Sequence, residues 1–166
     1  MARILVVSLN YRTAEMTLRS ARAALEAMRG LEAELVIVDN DSGDGSYERI
    51  AQAVRSEDWA QGAPIRVVQS GHNGGFGAGN NVGIRAGMSD GSAPDHVYLL
   101  NSDAFPAPDA IRRLADHLDA HPRAGFAGSY IHGEDGTPHM AAVRFPSNCS
   151  EIEVEMRSRP DSTLTR

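Results

Sequence analysis

Short apolar runs recur along the chain at nearly regular intervals: Ile4-Leu5-Val6-Val7, Leu35-Val36-Ile37-Val38, Ile65-Arg66-Val67-Val68 and Val97-Tyr98-Leu99-Leu100. Continuous runs of this length predict strands buried on both faces, the habit of a parallel sheet. Helical patterns lie between them. Thr13 to Met28 sets Met16, Leu18, Leu25 and Met28 among Ala and Arg, a strong helix-forming mixture. Ser46 to Val54 follows Asp44-Gly45-Ser46, a cluster able to cap a helix, and the glycine-rich run from Gly71 opens onto a helix from about Ala78. Asp109 to His121 follows Pro108 with Ile111, Leu114 and Leu118 at helical spacing. The repeated strand–helix alternation predicts an α/β domain with a mostly parallel central sheet and flanking helices. Ala124 to Ile131 then leads through Gly133-Glu134-Asp135-Gly136-Thr137 to a return strand near Met140 to Phe145, a hairpin. This divides the chain into a domain over 1–146 and a charged segment over 147–166, which is either a poorly anchored tail or one surface helix near Glu151 to Arg157.

The length of 166 residues suits a single core, and a hydrophobic fraction of 42% is enough to build it. Charge narrows the chemistry further. The net charge of −6 argues against a protein held to nucleic acid by phosphate contacts. All 16 strongly basic residues are arginine, and lysine is absent from the chain. That excludes a Walker A loop and any Schiff-base enzyme, because each needs a lysine amine. A bound phosphate would have to be held by backbone N–H groups, by arginine or by a metal. The lone Cys149 offers neither an internal disulfide nor a thiolate cluster. No apolar run reaches the roughly 18 residues of a membrane span, and Ile4 to Val7 is too short for a signal peptide. The expectation is a cytoplasmic protein without a transmembrane segment, soluble or peripheral at the inner face of a membrane.

Ligands of open parallel sheets bind beyond the carboxyl ends of the strands. Here those ends carry Ser8-Leu9-Asn10-Tyr11, Asp39-Asn40-Asp41-Ser42, Gly71-His72-Asn73-Gly74-Gly75-Phe76-Gly77 and Asn101-Ser102-Asp103. No window of the glycine-rich run spells G-x-G-x-x-G, and the run follows the third strand rather than the first, so a Rossmann dehydrogenase does not fit. The run is either a plain loop or a backbone cradle for a diphosphate. Asp103 either binds a divalent cation with the help of substrate oxygens or caps the turn before Pro106. Asp39 and Asp41 either bond a base or ribose or satisfy turn backbone, and Tyr11 either stacks on a base or packs in the core. His117 and His121, at i and i+4, read as a solvated helix end because no third ligand accompanies them. No G-x-S-x-G elbow supports a hydrolase.

Taken in order, Val6-Val7-Ser8-Leu9-Asn10-Tyr11, Val36-Ile37-Val38-Asp39-Asn40-Asp41-Ser42 with Asp44-Gly45-Ser46, Asn73-Gly74-Gly75-Phe76-Gly77-Ala78-Gly79-Asn80-Asn81, and Leu99-Leu100-Asn101-Ser102-Asp103 resemble the family 2 glycosyltransferases, in particular their rhamnosyltransferase-like branch. The resemblance runs over about residues 3–146. It implies a GT-A fold that binds a nucleotide-diphosphate sugar, dTDP- or UDP-linked, with Mg2+ or Mn2+. It also implies inverting transfer of a hexosyl or deoxyhexosyl group to the hydroxyl of a glycan or lipid-linked acceptor in polysaccharide biosynthesis. By position, Asn10 and Tyr11 would lie near the nucleoside, Asp39 would read the base with Asp41 beside it, and Asn73, Gly75 and Asn81 would follow the ribose and diphosphate. Asp103 would be the metal-binding carboxylate of the Asp-x-Asp-type motif, with Asn101 in the motif's first position and Ser102 where many members of this branch have proline. Arg85 would offset diphosphate charge. The family continues beyond the Phe-Pro segment into an acceptor half with a Glu-Asp pair whose Asp is the general base. Ser150 to Glu155 offers no such pair, so the resemblance is to a donor-binding half. Such a chain is either part of a transferase or a noncatalytic donor-binding module.

Overall fold

The computed structural model describes residues 2–133 and 135–139. Among the described residues six strands and four helices follow in order: β1 (Arg3–Asn10), α1 (Ala14–Ala27), β2 (Glu32–Asp39), α2 (Ser46–Ser56), β3 (Ile65–Gln69), α3 (Gly75–Ala86), β4 (His96–Asn101), α4 (Ala110–Ala120), β5 (Ile131–His132) and β6 (Pro138–His139), with a 3₁₀ turn at Asp58–Ala60 before β3. The four long strands form one parallel sheet in the order β3-β2-β1-β4. The predicted α/β class and parallel sheet are therefore what the chain adopts.

Strand alternation distributes the core between two faces. Ile4 and Val6 of β1 with Leu35 and Ile37 of β2 pack beneath α1, α2 and α4, against Leu18, Ala21, Ile50 and Ile111. Leu5, Val7 and Leu9 with Val36 and Val38 face the other way, toward Val82 and Ile84 of α3 and Met88. Burial on both faces holds for β1 and β2 only. β3 is half-buried, and β4, at the sheet edge, leaves Val97 and Leu99 exposed on the α3 side. Both have the register of Leu5 and Val7, but α3 sits over β1 and β2 and does not extend over β4.

Two glycines let α3 sit that close. A Cβ on Gly79 would lie 2.5 Å from Leu9 Cδ1, and one on Gly83 would lie 2.5 Å from Val7 Cγ1 and 2.9 Å from Val38 Cγ2. One helical turn apart, the pair forms a flat stripe against the sheet. Gly77 of the same helix has open space around it. Gly83→Ala is therefore expected to destabilise the protein by about 1–3 kcal/mol through overpacking, although alanine is the better helix former. Gly77→Ala is expected to leave stability unchanged or raise it by about 0.5–1 kcal/mol. Urea unfolding of the two variants measures this contrast, and Val7→Ala in the Gly83→Ala background is expected to recover part of the loss.

α2 begins where predicted, with the Asp44 carboxylate accepting the Ser46 N–H at 3.0 Å. The bonding to Ser46 holds the Asp44 pKa below its ordinary value. α3 begins three residues before the predicted start, because the Asn73 side chain accepts the Gly75 N–H at 3.0 Å and turns the chain into the helix. The hairpin is present as β5 and β6, two antiparallel residues each. Its first strand is confined to Ile131–His132, while 124–130 form no regular element. The expected return strand at Met140 to Phe145, the segment over 147–166 with the alternative of a helix near Glu151 to Arg157, and Cys149 lie outside the described residues. No described helix is long and apolar enough to cross a membrane.

Candidate functional site

The parallel register brings three strand ends into one row, with Asn10 beside Asp39 and Leu9 beside both Val38 and Asn101. Above this row opens a cleft of about 390 Å³. One wall is the turn after β4, Asn101-Ser102-Asp103, and the opposite wall is Asn73, Gly75 and Phe76 at the start of α3. Leu9 and Asn40 lie between them, with Tyr11 and Thr13 at the entry to α1.

The walls differ in how they are held. Ser20 of α1 donates to the Ala104 carbonyl at 2.6 Å and to the Asn101 carbonyl at 3.3 Å, fixing the turn that presents the exposed Asp103 carboxylate. Thr13 Oγ1 reaches Ser102 Oγ at 3.3 Å across the cleft floor. Tyr11 and Phe76 stay 42% and 56% exposed, two aromatic surfaces on one cleft. The Arg12 guanidinium lies 5.1 Å from the Tyr11 ring centroid, and its Nε donates to the Ser42 carbonyl at 3.0 Å. Tyr11 is thus a cleft residue rather than a core one.

Beneath the cleft, on the α1 side of the sheet, lies a buried polar network. Asn10 Nδ2 donates to Asp39 Oδ1 at 2.7 Å, Ser42 Oγ donates to the same oxygen at 2.6 Å, and the Ser42 N–H donates to Asp39 Oδ2 at 3.1 Å. Asn10 Oδ1 accepts from Thr17 Oγ1 at 2.8 Å and from the Thr13 N–H at 3.3 Å. Asn10 is fully buried and Asp39 is 1% exposed. Fully buried polar groups of this kind persist because each is paired.

Of the residues expected at the site, the structure brings Tyr11, Asn73, Gly75, Asn101 and Asp103 to the cleft. Asn10 and Asp39 lie under it, with their polar atoms turned to the network, and do not line it. Asp41 takes φ +56° in the loop after β2 and is exposed outside the cleft, and Asn81 is exposed on α3, also outside the lining. Arg85 stands in the last turn of α3. At 1.5 Å of rise per residue it is about 15 Å along the helix from Gly75, too far to offset charge at the cleft. Sequence reasoning gave no site role to Leu9, Asn40, Phe76 and Ser102, although they stand in the strand-end segments, and it missed Thr13. For Asn40 the available signal was its place directly after a strand, and for Phe76 it was being the one aromatic in a glycine run.

His117, half-buried, and His121, exposed, stack at 4.2 Å between ring centroids at the C-terminal end of α4. Among the described residues no three His, Cys, Asp or Glu side chains form a metal-ready group. Asp103 is a single hard oxygen ligand, which fits a divalent cation that takes most of its remaining ligands from water and substrate phosphate.

The family model described as glycosyl transferase family 2 matches residues 4–164. Among solved structures, the mannosyltransferase PcManGT from Pyrobaculum calidifontis, in complex with GDP-Man and Mn2+, superposes with a TM-score of 0.58 at 19% identity, over 70% of this chain and 32% of that one. S. aureus TarS 1-349 gives a TM-score of 0.55 at 18% identity over 72% of this chain and 33% of its own. A TarS complex with UDP-GlcNAc gives a TM-score of 0.55 at 19% identity over 72% of this chain and 32% of its own. At these identities the likeness is one of fold, of the GT-A type, and the chain spans about a third of the length of these proteins. No curated protein sequence matches the chain.

Proposed function

The chain belongs to glycosyl transferase family 2, and from that premise we propose that its cleft binds a nucleotide-diphosphate sugar and forms the donor half of a glycosyltransferase. The observation that carries this reading is the pairing of two walls across one cleft: an exposed carboxylate, Asp103, on one side and the start of a 12-residue helix with Asn73 and Phe76 on the other. The first turn of a helix has N–H groups without intrahelical partners, suited to diphosphate oxygens in a chain that has no lysine. Tyr11 and Phe76 offer faces for a base or a sugar ring.

Asp103 would hold a divalent cation, Mg2+ or Mn2+, together with donor phosphate oxygens. The cation supplies charge stabilisation for the departing nucleoside diphosphate. In the inverting transfer proposed here, an acceptor hydroxyl oxygen bonds to the anomeric carbon as the bond from that carbon to the diphosphate oxygen breaks. The hydroxyl proton passes to a base. The resemblance to the rhamnosyltransferase-like branch favours a dTDP- or UDP-linked hexose or deoxyhexose as donor. A glycan or lipid-linked acceptor, polysaccharide synthesis and action at the inner face of a membrane belong to the same proposal.

Calorimetry with UDP-, dTDP- and GDP-sugars, with and without Mn2+, tests it. The expected outcome is binding of one nucleotide class that is strengthened by Mn2+. Absence of binding to all three overturns the reading, whereas binding without transfer to any acceptor favours a donor-binding module over a complete enzyme.

A further inference from the structure

We propose that Asn40 is a positioning residue for the donor wall of the cleft, acting through Asn73 and Gly75. The inference rests on the reading of the cleft as a donor site. Residues 71–78, which turn from β3 into α3, are exposed throughout, so apolar packing contributes little to holding them in place. Ser70, next to the stretch in the chain, donates its hydroxyl to the His72 carbonyl at 2.9 Å; among the described residues, the side-chain hydrogen bonds that reach 71–78 from outside residues 65–86 come from Asn40. Its Nδ2 donates to Asn73 Oδ1 at 2.9 Å and to the Gly75 carbonyl at 3.5 Å. Asn73 Oδ1 also accepts the Gly75 N–H at 3.0 Å. One amide oxygen therefore joins the buried sheet end to the turn that opens α3.

Asn40 itself is 3% exposed, and among the described residues its own Oδ1 accepts no hydrogen bond. That oxygen lies 2.9 Å from where a Cβ on residue 79 would stand, so glycine at 79 leaves the room it occupies. The orientation of the amide follows from its neighbours. Turning it over would set Oδ1 against the Asn73 oxygen and the Gly75 carbonyl, acceptor against acceptors. A buried amide with one unpaired atom costs stability, and here the same amide fixes the wall that the donor would meet. Asp39 and Asn40 thus divide the work of one strand end, the first bonded within the network beneath the cleft and the second steering the loop above it.

The test is a double-mutant cycle of Asn40→Ala and Asn73→Ala, read by amide hydrogen exchange across 74–78 and by calorimetry with UDP, dTDP and GDP in the presence of Mn2+. Asn40→Ala is expected to raise exchange at the Gly75 and Phe76 amides about tenfold and to weaken nucleotide binding about tenfold. In the Asn73→Ala background the same change is expected to add less than about twofold, because the interaction it removes is already gone. Unchanged exchange in Asn40→Ala, or independent multiplicative effects of the two substitutions, overturns the proposal. If the wild-type protein binds none of the nucleotides, the donor reading falls while the exchange data still decide the role of Asn40. Should Asn40→Ala fail to fold, Asn73→Ala alone, at an exposed position, is expected to expose the Asn40 side-chain amide protons to faster exchange. No change there overturns the proposal equally.

Discussion

Asp103→Asn is expected to abolish the Mn2+-dependent part of donor binding and to lower any transfer activity by about a hundredfold or more, with the fold intact. Asp103 sits in a turn held by α1. Its neighbours Asn101 and Ala104 are tied by their carbonyls to buried Ser20 of α1, and the Ala104 N–H closes the turn on the Asn101 carbonyl at 3.1 Å. Asp103 is exposed, and among the described residues no hydrogen bond or ion pair engages its carboxylate, so replacing one carboxylate oxygen by NH2 disturbs no packing there. Exposed substitutions of this kind change stability by about 0.5 kcal/mol or less. The charge, by contrast, is the one acidic group among the described residues that line the cleft, and a divalent cation bound largely through phosphate and water depends on it. Loss of several kcal/mol of metal-assisted stabilisation corresponds to about two or more orders of magnitude in rate. Calorimetry with and without Mn2+, run beside thermal unfolding, separates the two effects. Binding that keeps its full response to Mn2+ in Asp103→Asn would remove the metal role from this residue.

The sequence located the strand ends well, because continuous apolar runs followed by polar residues are a one-dimensional signal and the register of a parallel sheet puts those ends in one row. What it left open was which residue at each end faces the cleft. Side chains alternate across a sheet, so adjacent residues such as Asp39 and Asn40 serve opposite sides, and the assignment depends on which helix covers which face. The resemblance implies that the Asp39 carboxylate reads the base, yet the structure turns it to the α1 side, where Thr17 and Ser42 complete a buried network. The glycine run shows the same limit. Gly79 and Gly83 are required by the approach of α3 to Leu9 and Val7, and a contact between a helix and a sheet is not readable from local spacing. Phe76 and Gly75, in the same run, are the part of it that meets the cleft.

This division of roles makes Asp39→Asn the second decisive substitution, expected to lower the unfolding temperature even without nucleotide. Asp39 Oδ1 accepts two donors and Oδ2 accepts a third, from Asn10 and from both the hydroxyl and the N–H of Ser42. An asparagine presents NH2 where one of those oxygens stood, so at least one buried donor faces another donor. Hydrogen bonds to a charged group contribute about 1.5–3 kcal/mol each, and a buried polar group left unpaired costs about 1–3 kcal/mol. Together these come to about 2.5–6 kcal/mol, or a drop of about 5–24 °C in a domain of this size. Ser42→Ala should fall in the same direction, since Ser42 Oγ also accepts the Arg12 N–H at 3.0 Å, and the two effects should be strongly non-additive because they share one network. A residue whose main work is to read the base predicts the opposite pattern. Asp39→Asn would then lose nucleotide affinity while melting at the wild-type temperature. Thermal unfolding of the nucleotide-free protein therefore decides between a base reader at the end of β2 and a buried support on which the cleft is built.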